Sequence, residues 1–189
     1  MRKKSHVLLA YHIAGYWDES VFYKYKAAFY IGNLLPDIKP SFITKRHEIT
    51  TTCNIVEIKL DRLLHEKNRS GYNALFFVRL GEVIHYVADY FTFPHNKGFS
   101  GTIKEHCAYE GNLKHELIRY VRKMHEVKLP LYAFVGEDIL KALKTEEDIW
   151  GYIKDKHNEY IREPYHGVCL DCEYIVEVCT TVVFAILQH

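Results

Sequence analysis

A chain of 189 residues is long enough to bury a substantial core, and its length suggests one domain rather than two. Its 25 Lys and Arg against 24 Asp and Glu leave a formal charge of +1, which argues against a nucleic-acid-coating surface and against a polyacidic tail. The unusual counts are 12 His and 15 Tyr, and histidine is the commonest metal ligand.

Apolar positions recur at helical spacing and no series of short alternating strands interrupts them, so the expected class is all-α, a single-domain multi-helix bundle over residues 1–189. The opening MRKKSHVLLAYHIAG sets basic residues before an apolar run, but VLLA is too short for a leader and Tyr11 and His12 interrupt it. A first helix is expected over 4–14. A second runs from Ser20 to Ile31, where Gly32 and Asn33 supply a stop, and Pro36 and Pro40 favour a loop over NLLPDIKPSFITKRHE. Thr50 to about His65 reads as a helix with Ile55, Ile58, Leu60, Leu63 and Leu64 inward, followed by a turn at Asn68, Arg69, Ser70 and Gly71. From Tyr72 to about Phe91 the chain is almost wholly apolar; such a helix must be surrounded, which makes it the centre of the bundle, and Pro94 ends it. After the loop NKGFSGT, residues 103–126 form another helix and LPLYAF turns the chain. The segment 135–162 holds one or two helices with a break near Thr145, where TEED resembles a helix start, and 166–187 close the bundle.

Five cysteines, an odd number, fit a reducing compartment better than a disulfide framework, and the cytoplasm is the expected location. Cys169 and Cys172 form a CxxC without a second pair, which reads as small core residues. No stretch reaches the ~18 apolar residues of a membrane span, and TTVVFAILQH reads as the buried end of the last helix. Arg2, Lys3 and Lys4 read as solvated, with peripheral contact to an anionic membrane as the alternative.

The stretch HYVADYFTFPHN carries the chemistry. Positions four apart share one helix face, so His85 and Asp89 present an imidazole and a carboxylate to one point, and His95 follows just past Pro94. In HCAYE the same spacing pairs His106 with Glu110 on the next helix. A buried carboxylate in so apolar a helix needs a cationic partner. His6, Asp37 and His47 are the earlier candidates, with His12 competing with His6, and Asp37 is expected in a proline-stiffened loop. This nitrogen and oxygen donor set without thiolate suits zinc in a catalytic site, and iron or manganese accept similar ligands. His115 and His125, among charged neighbours, read as solvated; His65, His157, His166 and His189 read as surface residues.

The order His, Asp, His, then HxxxDxxxxxH, then HxxxE, in an all-helical chain, resembles the bacterial zinc-dependent phospholipase C family and its relatives among fungal single-strand nucleases. The resemblance covers about residues 4–111. It implies that Asp37, His47, His85 and Asp89 hold one zinc and that His95, His106 and Glu110 hold a second, with Asp89 bridging to a third near His6. In secreted members the mature amino-terminal residue is itself a ligand. The implied activity is phosphodiester hydrolysis by metal-activated water, with Asp37 orienting or deprotonating that water and a phosphoester, such as a phospholipid head group, as substrate. The alternatives are a nucleotide or single-strand nucleic-acid phosphodiesterase on the same metals, and a non-catalytic metal-stabilised helical module. The charge balance argues against a stable nucleic-acid partner.

Overall fold

The computed structural model describes residues 1–17, 21–38, 47–127 and 136–188. Among these the chain forms eight α-helices and one 3-10 turn, with no strand: α1 (Lys3–Ala14), α2 (Val21–Ile38), α3 (Ile49–Ser70), α4 (Ala74–Tyr90), the turn Phe93–His95, α5 (Ile103–Val127), α6 (Glu137–Ala142), α7 (Glu146–Arg162) and α8 (Val168–Gln188). The expected LPLYAF turn and the Pro40 end of the first long loop lie outside the described residues.

Helix α4 is the centre, as its composition predicts. Asn73 caps it by accepting the Phe76 N–H at 3.0 Å, and every residue from Leu80 to Tyr90 is buried. Helices α2, α3 and α8 pack around it, supplying Phe22 and Phe29, Leu60 and Leu63, and Val178 and Val182, all buried. The capping box expected at TEED starts α7: Thr145 Oγ1 accepts the Asp148 N–H at 3.1 Å, and Asp148 Oδ2 accepts the Thr145 N–H at 2.9 Å. At the far end of α8, Lys67 Nζ donates to the carbonyls of Ile186 and Leu187 and Tyr72 donates to Leu187, so two of the free acceptors of the last turn are satisfied. No helix among the described residues is long and apolar enough to cross a membrane.

Five expectations need correction. Helix α2 does not stop at Ile31 but continues through Gly32, Asn33 and Pro36 to Ile38. Gly32 is needed where α2 crosses α4, not as a terminator: a Cβ there would lie 2.1 Å from the Val78 carbonyl oxygen, and one on Gly81 would lie 2.4 Å from that of Phe29. The packing across that crossing outweighs the local cost of an internal proline. Asp37 therefore projects from the last helical turn of α2 and not from a loop. In α3 the helix runs on through Asn68, Arg69 and Ser70, and Val56 faces inward while Ile58 is 53% exposed. Finally, Cys172 and Cys179 are core residues but Cys169 is exposed, and all five cysteines are free.

Candidate metal centre

Five elements and one short lead-in segment bring the candidate ligands to one end of the bundle. Helix α4 presents His85 and Asp89 one turn apart, α1 lays His6 beside them, and α2 ends on Asp37. His47 precedes α3, the 3-10 turn carries His95, and α5 presents His106 and Glu110. The turn carrying His95 is held from both sides. Asp171 Oδ2 on α8 accepts the Phe93 N–H at 3.0 Å, while Asn96 Nδ2 donates to the carbonyls of Tyr90 and Thr92 at 2.9 and 3.1 Å. His157 then donates from Nε2 to Asn96 Oδ1 at 2.8 Å.

The donor atoms fall into three groups, each with its atoms within 4.8 Å of one another: His6 with His85 and Asp89; Asp37 with His47 and His85; His95 with His106 and Glu110. Asp89 Oδ2 lies 3.0 Å from His47 Nδ1, 3.4 Å from His85 Nε2 and 3.8 Å from His95 Nδ1, which makes it the hub. Glu110 Oε1 lies 3.4 Å from His95 Nε2 and 3.1 Å from His106 Nε2.

His85 shows which way the donors point. Its Nδ1 is 2.8 Å from the Asn33 carbonyl, which can only accept, so Nδ1 carries the proton. Burial, and then the neighbouring His6, hold its pKa well below the usual histidine value, so the ring is neutral. Nε2 therefore turns a lone pair toward Asp89 and toward Asp37 Oδ1, 3.6 Å away. Fixing a ring through its far nitrogen is how metal-binding histidines are held. His6, stacked on His85 with ring centroids 3.8 Å apart, is fully buried with neither nitrogen hydrogen-bonded, although its Nε2 approaches Asp89 Oδ1 at 3.4 Å. A buried imidazole with two idle nitrogens is costly unless something else binds it, and a cation fits that need.

The electrostatics agree. The buried Met1 ammonium contacts Asp89 Oδ1, lies 3.3 Å from Glu110 Oε1 and lies 3.4 Å from His95 Nε2. Burial works against that charge, but Asp89 and Glu110 outweigh it and raise its pKa. Burial likewise opposes ionisation of Asp89 and Glu110. The amino terminus and histidines nevertheless hold Asp89 well below the carboxylate range, and hydrogen bonds with His106 and His95 do the same for Glu110. Burial, with Asp89 nearby, pushes Asp37 up. Burial and the amino terminus push His95 down. The arrangement thus concentrates carboxylate oxygens and imidazole nitrogens around points where positive charge is welcome.

All eight side chains expected as ligands stand in these three groups. His6 and His12 are both buried, but His12 faces away from the centre, 3.3 Å from His125 Nε2 and 3.4 Å from the Tyr16 hydroxyl. His125 is exposed as expected yet reaches this contact; His157, expected at the surface, is 7% exposed. Residue patterns gave no sign of the Met1 amino group, the Asn33 carbonyl or Asp171, because a backbone atom leaves no side-chain signal and Asp171 sits in a stretch that reads as a cysteine motif.

Two of the groups reach a cleft of about 760 Å³ whose walls include Asp37, His47, His95, His106 and Glu110, while His6, His85 and Asp89 lie buried behind it. Comparison with curated proteins and with solved structures finds no match. A family model described as zinc dependent phospholipase C matches residues 5–167, from α1 through α7 and well past Glu110. With its all-helical architecture and its His and Asp groups able to hold metal, the chain belongs to the zinc-dependent phospholipase C family.

Proposed function

We propose that the chain is a zinc-dependent phosphodiester hydrolase, acting on a phospholipid or a similar diester. Asp37, His47 and His85 would hold one ion, His95, His106 and Glu110 a second, and His6 with Asp89 a third, Asp89 bridging between sites. The observation that carries the reading is the His85 Nε2 lone pair, fixed by the Asn33 carbonyl and facing two carboxylates. His47 Nδ1 lies 3.1 Å from the same Nε2, so imidazole and carboxylate donors converge on one point, where a cation would draw on all of them. The oxygen and imidazole donor set without thiolate suits zinc at a site open to substrate.

Zinc supplies Lewis acidity toward a phosphate oxygen and toward water. The chain's own residues do the rest. Asp37, 9% exposed and lining the cleft, orients the attacking water and takes its proton. The turn held by Asp171 and Asn96 keeps His95 at the cleft wall.

Hydrolysis of bis(p-nitrophenyl) phosphate, phosphatidylcholine and single-stranded DNA, assayed side by side, tests this reading. A chelator and Asp89→Ala should each abolish turnover. Asp37→Asn, assayed with zinc in excess and its bound zinc counted, should lose about 100-fold or more in kcat. Full turnover in metal-loaded Asp37→Asn would remove Asp37 from the role of base. Zinc retention with no hydrolysis of any of the three esters would leave a metal-stabilised module in place of an enzyme, and turnover of DNA alone would shift the substrate class.

A further inference from the structure

His95 and the pair His106 and Glu110 reach their common donor group from different elements, the 3-10 turn and α5. The connection over 96–102 contains Gly98 and Gly101, so its backbone does little to fix the distance between them. Asn96 ties the turn back to the end of α4 through the Tyr90 carbonyl, and Asp171 ties it sideways. Asp171 Oδ2 accepts two hydrogen bonds, from the Phe93 N–H at 3.0 Å and from the Tyr109 hydroxyl at 2.9 Å. Phe93 stands two residues before His95, and Tyr109 directly precedes Glu110. Oδ1 accepts from the Tyr160 hydroxyl of α7 at 2.7 Å, which fixes the carboxylate in place. Asp171 is fully buried, where a carboxylate without such donors would be costly. It lies on α8, which begins at Val168, just beyond the residues that the family model matches.

We propose that Asp171 is a positioning residue for the zinc of His95, His106 and Glu110: by holding the turn and α5 on one oxygen, it sets the spacing at which those three donors meet. The assignment rests on the metal reading above. It acts through Phe93 and Tyr109, neither of which is a donor in any of the three groups. A group bonded to a single element steadies that element alone, whereas one bonded to both also fixes their separation. Hydrogen-bond partners behind metal ligands orient them, and losing such a partner weakens metal binding about 10- to 100-fold. The other two donor groups draw on His6, Asp37, His47, His85 and Asp89, none of which lies on the turn or on α5, so the effect is confined to one ion.

Titration of the metal-free protein with zinc, in competition with a chelating indicator, counts the ions and ranks their affinities without requiring turnover. Asp171→Ala should weaken one zinc per chain about 10- to 100-fold and leave the others as in wild type. Asp171→Asn should restore most of that affinity, because its carbonyl oxygen can still accept from Phe93 and Tyr109 while its amide donates to the Tyr160 hydroxyl. Tyr109→Phe, which removes one hydroxyl, should weaken the same ion, and it decides the matter if Asp171→Ala does not fold. In a His106→Ala background, where that group has already lost a ligand, adding Asp171→Ala should alter none of the remaining affinities. Wild-type affinities in folded Asp171→Ala or in Tyr109→Phe would overturn the positioning role and leave the metal reading standing. An equal weakening of every ion would do the same, since it would mark Asp171 as a support of the fold at large. Wild-type protein that takes up no zinc would overturn the metal reading and the positioning role with it.

Discussion

The two buried histidines of α1 have opposite roles that their spacing alone does not separate. His6 stacks on His85 inside the donor cluster, whereas His12, six residues on, packs against His125 and Tyr16. Burial first, and the neighbouring His125 second, push the His12 pKa down to about 4. Because that value lies below the value of 6.5 for an unperturbed histidine, the unfolded chain binds this proton more readily than the native one. Stability present above pH 6.5 is lost as pH falls toward 4. Asp171, pushed up to about 6 by burial, works in the opposite direction over part of the same window, so the informative quantity is a difference between variants. In denaturant titrations with chelator present, wild type should lose about 2 kcal/mol more than His12→Gln between pH 7 and pH 5. Equal losses would mean that His12 is not held neutral by its burial. At this scale the pairs His85 with Asp89 and His106 with Glu110 were legible because helical spacing alone places each on one face. The orientation of the His85 ring was not, since it depends on a carbonyl 52 residues away in sequence.

At the scale of elements, the crossing of α2 and α4 shows where local signals mislead. Gly-Asn followed by Pro looks like a helix end, but here the glycine lets two backbones approach and the helix runs on. The sequence contains both glycines, yet their partnership is visible only once the helices are placed side by side. That crossing also serves the site, because α2 must extend to Ile38 for Asp37 to reach within 3.6 Å of His85. Gly81→Ala would push a methyl into the Phe29 carbonyl, and backbone cannot move aside as a flexible side chain can. The expected cost is about 3 kcal/mol or more, read as a lowered denaturation midpoint, together with weaker metal retention. A variant as stable as wild type would show that the helices can separate without consequence. By contrast, α4 and the start of α7 were readable from sequence, since continuous apolarity and a capping box are local properties.

Over the whole molecule, the donor cluster is assembled on a helix that is buried from Leu80 to Tyr90. Helix α4 supplies two of the eight donors and the remaining six come from elements packed around it, so folding and the site depend on each other. The all-helical class followed from periodicity, and the order of the candidate ligands from the family pattern. The cleft did not, because its walls combine residues from distant parts of the chain such as Asp37, Lys97 and Glu110. Ions bound only to the native state stabilise it by mass action, so a chelator should lower the melting temperature and zinc should restore it. An unchanged melting temperature would argue that the donors are content without a cation. The most direct test is anomalous diffraction at the zinc edge from crystals grown with zinc. The account predicts peaks at the three donor groups, with histidine nitrogens at about 2.0–2.1 Å. Zinc found only at surface histidines, with His85 Nε2 and Asp89 still facing each other bare, would contradict it.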